Sequence, residues 1–225
     1  MFRSLIQWFK AENLLVQAKD QIIEMLQEDL NLFKEALKLL WTEEGVSINE
    51  IRERDRQINR HVREVRKKVL THLAFSGSAG LDMSLVLISI VVDIERIGDH
   101  TKDIGYLATD YPGKFKAGEF EKELKNFENE LVDRLQILKG IFESGEDAAA
   151  KAREMARSHN EMDRQYRAMI SRLINDEKIG LTASQSTMPA LYMRYLRRIE
   201  GHIFNIASAE INPFHRIGFK IKGKK

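Results

Sequence analysis

The sequence contains no cysteine, which excludes disulfides and metal sites built on thiolates. A reducing compartment is compatible with that absence but is not required by it. Proline is also scarce, with three residues in 225, and there is no long run of glycine and serine. Together with a charged fraction of 31%, this composition is typical of a mostly helical protein.

Long apolar segments are missing as well. The most apolar run, residues 85–92, stops at Asp93 and falls far short of the roughly 20 residues that a membrane span needs. The N-terminal apolar residues Phe2, Leu5, Ile6 and Phe9 do not form a signal peptide, because the stretch is short and no cleavage site follows. We favour the interpretation that this segment is a first helical turn that packs against the rest of the protein. The alternative is an amphipathic element on the surface. We therefore expect a cytoplasmic protein.

The charge balance is nearly even, with a formal net charge of +2. Such a weakly basic chain neither requires nor excludes nucleic acid as a partner. The basic residues are expected to be spread over the molecule, apart from a C-terminal cluster of Arg216, Lys220, Lys222, Lys224 and Lys225. With no recognised binding motif, we predict that the protein does not bind nucleic acid.

An internal repeat is the most informative feature of the chain. Residues 93–104 return in altered form at residues 195–206, with Arg96, Ile97 and His100 matched by Arg198, Ile199 and His202. A period near half the chain length indicates two similar modules in tandem. The first copy carries Glu95, Asp99 and Asp103 at intervals of four, and the second has Arg197, Gly201 and Asn205 at those places.

The hydrophobic periodicity predicts six helices and no strands. The first helix is expected to span about 28 residues around an apolar stripe from Leu15 to Leu40. Ser47 and Glu50 form a capping-box pattern before the second helix, and the sixth helix is expected to begin near Pro189. The predicted fold is all-α, with two tandem three-helix bundles at about residues 1–113 and 114–225.

The acidic residues of the first copy form a column along one side of a helix, because positions i, i+4 and i+8 share a face. Asp55 occupies an apolar position of the second helix and could face Glu95, Asp99 and Asp103 across the bundle. Carboxylate oxygens suit Mg, Mn, Ca, Fe or Zn. The alternative is a solvated acidic face neutralised by Arg96 and Lys102, and spacing alone favours that alternative.

These same residues carry a resemblance to a known family. The run at 93–100, followed by Asp103 and Ile104, resembles the signature of PhoU-domain proteins, which regulate phosphate uptake. The resemblance implies two tandem three-helix bundles with metal bound at E/D-x-x-x-D motifs. By position, the ligands would be Glu95, Asp99 and Asp103, with Asp55 and Asn59 contributed by the second helix. The metal would be a divalent or trivalent ion, with Fe, Zn, Mn or Mg as the candidates.

The second repeat departs from that pattern. His159 and Asp163 stand at the places of Asp55 and Asn59, but Arg197 and Gly201 replace the expected carboxylates. A positive side chain would oppose a cation, so no equivalent metal cluster is expected there.

The function that the resemblance implies is regulation of phosphate transport through protein–protein contact, without catalysis. Partners would be a phosphate ABC transporter, a phosphate-sensing histidine kinase or a sodium–phosphate cotransporter, and a homodimer stays open. A carboxylate-bridged metalloenzyme is the alternative. It is disfavoured because none of the six histidines follows a glutamate by three residues, the pattern that di-iron bundles use.

Overall fold

The computed structural model describes residues 2–110, 115–175 and 182–220. Within these ranges it describes the side chains of all residues except 2–12 and 183–184. Six long helices follow one another: α1 (Phe2–Thr42), α2 (Ile48–Ser76), α3 (Leu81–Asp110), α4 (Glu121–Ser144), α5 (Ala148–Asn175) and α6 (Ala183–Ser208). Short 3₁₀ turns lie at Gly118–Phe120 and Phe214–Arg216. The described ranges hold no strand, and the all-α prediction is confirmed.

Local sequence signals explain where several helices begin. Ser47 caps α2 by accepting from the Glu50 backbone N–H at 3.3 Å, while the Glu50 carboxylate accepts from the Ser47 N–H at 2.9 Å. A second capping box, formed by Thr182 and Gln185, starts α6 before the expected position. Pro189 therefore lies inside α6 rather than at its start.

The first helix is longer than its apolar stripe predicts, with 41 residues from Phe2 to Thr42. The side chains of Phe2, Leu5, Ile6 and Phe9 lie outside the described residues. Both interpretations of that apolar segment therefore stay predictions. Lys222, Lys224 and Lys225 of the basic cluster also lie outside the described ranges.

The helices pack as two groups that share a core. Helices α1, α2 and α3 contact one another, as do α4, α5 and α6, while α3 packs against α6 and α1 against α4. Buried side chains from both groups form a single hydrophobic cluster, which includes Phe33, Phe120 and Tyr192. The predicted boundary at 113 falls in residues 111–114, outside the described ranges, and stays a prediction.

The contact between α3 and α6 brings the two motif copies together. His202 Nδ1 lies 2.7 Å from Asp93 Oδ1, and the Asn205 amide donates to the same oxygen at 2.8 Å. The rings of His100 and His202 stack with centroids 5.7 Å apart. This pairing sets the acidic motif and its altered copy side by side at the seam of the two bundles.

No helix within the described residues combines the length and the apolarity that a bilayer crossing demands.

Candidate metal centre and its counterpart in the second repeat

Helices α2 and α3 bring Asp55 and Asp99 to either side of one lysine. The Lys102 ammonium donates to Asp55 Oδ2 at 2.8 Å and to Asp99 Oδ1 at 2.9 Å. Arg96 donates to the other Asp99 oxygen at 2.9 Å. Burial lowers the pKa of Lys102, but the two hydrogen bonds outweigh it and hold that pKa above its ordinary value. Two carboxylates thus share one internal cation.

Asp29 of α1 joins this group and was missed by the sequence analysis. It is fully buried, and neither of its carboxylate oxygens has a hydrogen-bond partner in the described structure. Burial raises its pKa well above the ordinary value, reinforced by the charges of Glu28, Asp55 and Asp99. The signal in the sequence is its position, four residues after buried Met25 and four before buried Phe33.

Gly98 allows these carboxylates to approach α3. A Cβ atom at Gly98 would lie 3.0 Å from Asp29 Oδ1 and 3.8 Å from Asp55 Oδ1. The Asp55 oxygen is likewise buried without a partner in the described structure. Unpaired buried carboxylate oxygens are costly, because each loses its water without gaining a hydrogen bond. The carboxylate oxygens beside Gly98 therefore outnumber the hydrogen bonds that Lys102 donates to them.

The remaining residues of the predicted site do not converge on this point. Asp103 lies 3.4 Å from His100 Nδ1 and is 38% exposed. Glu95 is half-buried and forms no hydrogen bond or ion pair with the described part of the chain. The Asn59 amide donates to the Asp55 carbonyl at 3.2 Å. Across the described ranges, no three His, Cys, Asp or Glu side chains are arranged as a metal site.

The arrangement combines the two sequence interpretations. Arg96 and Lys102 neutralise Asp99, as the solvated-face alternative expects. Asp29 and Asp55, however, are buried rather than solvated, and they offer oxygen atoms of the type that hard cations prefer. Asp29, Asp55 and Asp99 could hold a metal once the partly exposed Lys102 side chain moves aside. The chemistry of these oxygen donors suits a cation, but within the described residues they are not arranged as a metal site, and Lys102 is the group that would compete with an ion.

The second repeat has different chemistry at the matching place. Arg197 donates to Asp163 Oδ1 at 2.8 Å, and Arg167 donates to Asp163 Oδ2 at 2.8 Å. His159 Nδ1 lies 2.7 Å from buried Glu200, with the Arg134 guanidinium 3.5 Å from the same carboxylate. Each acidic group here is matched by at least one cationic or imidazole partner.

Comparison with known proteins agrees with this architecture. Residues 22–108 match the family model described as PhoU domain. The phosphate transport system regulatory protein PhoU from Streptococcus pneumoniae superposes with a TM-score of 0.68 at 19% identity, covering 92% of this chain and 95% of that one. PhoU from Pseudomonas aeruginosa gives a TM-score of 0.68 at 20% identity, covering 92% and 96%.

No curated protein matches the chain significantly. The family match contains Asp29, Asp55 and the whole acidic motif, and the structural likeness extends over nearly the whole molecule. The first repeat is therefore similar to a PhoU domain, and the chain as a whole has the fold of these two PhoU structures.

Proposed function

We propose that this protein regulates phosphate transport by binding to the transport or signalling machinery on the cytoplasmic side of the membrane, without catalysing a reaction. The observation that carries the proposal is the PhoU-domain match over residues 22–108. One protein of the same fold bears the description phosphate transport system regulatory protein. The partner would be a phosphate ABC transporter, a phosphate-sensing histidine kinase or a sodium–phosphate cotransporter.

Deletion of the gene tests the physiological part of this proposal. Cells lacking the protein should show altered phosphate uptake or altered expression of phosphate-starvation genes when shifted between phosphate-rich and phosphate-poor medium. Unchanged uptake together with an unchanged starvation response would discard the function and leave the fold.

The outer face of α2 offers a surface for such a partner. Five exposed basic residues follow one another at intervals of three and four along this face, which we call the basic stripe: Arg52, Arg56, Arg60, Arg63 and Lys67. The expectation that basic residues are spread out is therefore wrong for α2, because helical spacing gathers them on one side. Glu53 pairs with Arg56 and Arg60, so the charge that remains for a partner comes chiefly from Arg52, Arg63 and Lys67. A partner with an acidic surface would complement these residues and associate faster at low ionic strength.

Apolar side chains extend this surface at the end of α2. Leu70 is 69% exposed and Phe75 is 61% exposed, and Leu81 and Met83 at the start of α3 are also exposed. Exposed apolar groups beside a charged stripe are typical of a contact with an apolar centre and a polar rim. We place the regulatory contact on this combined surface.

A charge reversal on the stripe tests the contact. Arg63→Glu with Lys67→Glu changes two exposed residues that form no ion pair within the described structure. The matched control is Arg153→Glu with Arg157→Glu on α5, where two exposed arginines have the same spacing. Co-purification after crosslinking should recover the transporter or kinase with the wild type and the control but not with the stripe variant. Equal recovery from all three would place the contact elsewhere.

We further propose that the first repeat binds a divalent or trivalent metal, with Fe, Zn, Mn or Mg as candidates. Asp55 and Asp99 would be its first ligands and Asp29 an added one. Glu95 and Asp103, which lie on the same helix as Asp99 but away from this point, would join only after their side chains turn toward it. The unpaired oxygens of Asp29 and Asp55 beside Gly98 support this assignment. The bound ion would neutralise the acidic group and stabilise the first bundle.

Metal titration followed by thermal unfolding tests the site. Each candidate ion is added to chelator-treated protein, and one of them should raise the Tm of the wild type but not of Asp99→Asn. Asp133→Asn, an exposed carboxylate on α4, is the control and should respond as the wild type does. If the metal still raises the Tm of Asp99→Asn, the metal does not bind at this site.

A further inference from the structure

An open cleft of about 500 Å³ lies beside the altered motif of the second repeat. Its wall includes Arg167 from α5 and Arg197 and Arg198 from α6, together with His159, Asp163 and Gly201. The volume falls within the range of small-ligand sites, about 300–1,000 Å³. Neither the metal proposal nor the α2 surface uses this cleft.

The repeat explains why the cleft exists. Arg197 and Gly201 stand at the positions of Glu95 and Asp99 in the first repeat. A Cβ atom at Gly201 would meet no atom within 4 Å, so the missing carboxylate leaves open space. The same exchange replaces a negative side chain by a guanidinium. A place that carries carboxylates in one repeat thus carries space and positive charge in the other.

The charges of the cleft favour an anion. Three arginines face it against two carboxylates, Asp163 and Glu200. Glu200 is almost fully buried and is already engaged by His159 and, behind the cleft, by Arg134. Asp163 is shared by Arg167 and Arg197. Arg198 is exposed and forms no hydrogen bond or ion pair with the described residues.

One guanidinium is held in place before any ligand arrives. The Arg197 guanidinium lies 5.0 Å from the Tyr166 ring centroid, and this contact, which does not involve Asp163, orients its plane. A fixed guanidinium matches the oxygens of a phosphate group with paired N–H donors and loses little freedom on binding. Arg198 follows it directly on α6 and adds donors at the same cleft.

We propose that this cleft binds a phosphate-class oxyanion, either free phosphate or the phosphate groups of a short polyphosphate, through Arg197, Arg198 and Arg167. The choice of phosphate among oxyanions rests on the proposed function, whereas the anion site itself rests on the arginines and the space above Gly201. The ligand oxygens take over N–H donors that now point at Asp163. Asp163 is therefore a competitor within the site, and its removal strengthens binding.

Calorimetric titration of the full chain with phosphate and with tripolyphosphate, both in chelator, tests the site without metal at the first repeat. The wild type should bind one of the two, and sulfate should bind at least tenfold more weakly. Arg198→Gln should weaken binding at least tenfold. Asp163→Asn should tighten it several-fold, because it frees two guanidiniums and removes a negative charge. Arg153→Gln on α5 is the matched control and should bind as the wild type does.

Several results would overturn the proposal. These are the absence of binding by either ligand, equal binding of sulfate, equal losses in Arg198→Gln and Arg153→Gln, or weaker binding by Asp163→Asn. Because Arg198 is exposed and unpaired in the described structure, its replacement leaves the fold intact, which circular dichroism verifies. The protein could bind the anion as expected while deletion of its gene leaves phosphate uptake unchanged. That combination would support the anion site and reject the regulatory function.

Discussion

Lys102 is the residue on which the candidate metal centre depends. Its ammonium joins Asp55 to Asp99 and occupies the position from which a metal would bind both. Under the metal proposal, Lys102 stabilises the metal-free bundle and at the same time competes with the ion. Stability and metal affinity should therefore move in opposite directions when this side chain is changed.

Replacement of Lys102 by glutamine tests that relation. Lys102→Gln should lower the free energy of unfolding in chelator by about 1–3 kcal/mol, because it leaves half-buried and buried carboxylates without their cation. It should also tighten metal binding. Urea unfolding and metal titration measure the two effects. Arg164→Gln, which breaks only an exposed pair with Glu161 among the described residues, should change stability by less than about 1 kcal/mol and leave metal affinity unchanged.

The buried carboxylate of Asp29 should destabilise the metal-free protein. Asp29→Asn should stabilise the metal-free protein at pH 8 by about 1–3 kcal/mol, because it removes a buried carboxylate that has no partner. Since the folded-state pKa is raised, the advantage should shrink as the pH falls toward the ordinary carboxyl range. The same variant should lose the metal-induced rise in Tm. Asp20→Asn, an exposed change on the same helix, is the control and should show neither effect. If Asp29→Asn gains stability but keeps the metal-induced rise in Tm, Asp29 is not a metal ligand.

Sequence patterns revealed one of these two buried carboxylates and not the other. Asp55 interrupts a regular series of isoleucine and valine on α2, so its burial could be expected. Asp29 directly follows Glu28, and the apolar stripe of α1 passes on both sides of it through Leu26 and Leu30. A residue in that setting resembles solvated surface until the packing of α2 and α3 is known.

At the scale of elements, Glu128 links three helices across the seam between the bundles. Trp41 of α1 donates to its carboxylate at 2.9 Å, and the Tyr192 hydroxyl of α6 donates to the same oxygen. Burial raises the pKa of Glu128 to about 7, although both hydrogen bonds act to lower it. The seam therefore contains a carboxyl group that takes up a proton near neutral pH.

This group should make stability depend on pH. The folded-state pKa of about 7 lies above the ordinary value of 4.5, so the folded protein binds the proton more tightly. The contribution of this group to the free energy of unfolding is fully present below pH 4.5 and is lost as the pH rises through 7. Glu128→Gln should remove that dependence and should be more stable than the wild type by up to about 3 kcal/mol at pH 8.

Urea unfolding from pH 4.5 to 8 measures this difference. The matched control is Glu154→Gln, an exposed change on α5, whose curve should run parallel to the wild type. A Glu128→Gln curve that also runs parallel to the wild type would show that Glu128 does not titrate in this window.

Helix number could be predicted from the sequence better than helix ends and helix partners. The capping box at Ser47 marks the start of α2 because its two hydrogen bonds are local. The expected start of α6 near Pro189 is wrong, because the capping box of Thr182 and Gln185 begins the helix earlier and Pro189 is accommodated inside it, where proline is unusual. The packing of α3 on α6 could not be deduced, since periodicity identifies apolar faces but not their partners.

At the scale of the whole molecule, the two repeats have the same helical plan and opposite chemistry. The first keeps an acidic motif around Lys102, and the second presents arginines around an open cleft. The sequence repeat predicted the architecture and the loss of acidic residues at Arg197 and Gly201. It did not predict the cleft, because that depends on which side chains the folded surface brings together. The basic stripe on α2, by contrast, follows from helical spacing and could have been deduced from the sequence.

We propose that this chain regulates phosphate transport through the basic stripe of α2. Its most direct test is the rate of labelled phosphate uptake in the deletion strain complemented by three forms of the protein. The wild type and the α5 control, Arg153→Glu with Arg157→Glu, should restore normal uptake. The stripe variant, Arg63→Glu with Lys67→Glu, should leave uptake as it is in the deletion strain while accumulating to the same level. Normal uptake with the stripe variant, or no change of uptake on deletion, would contradict the account.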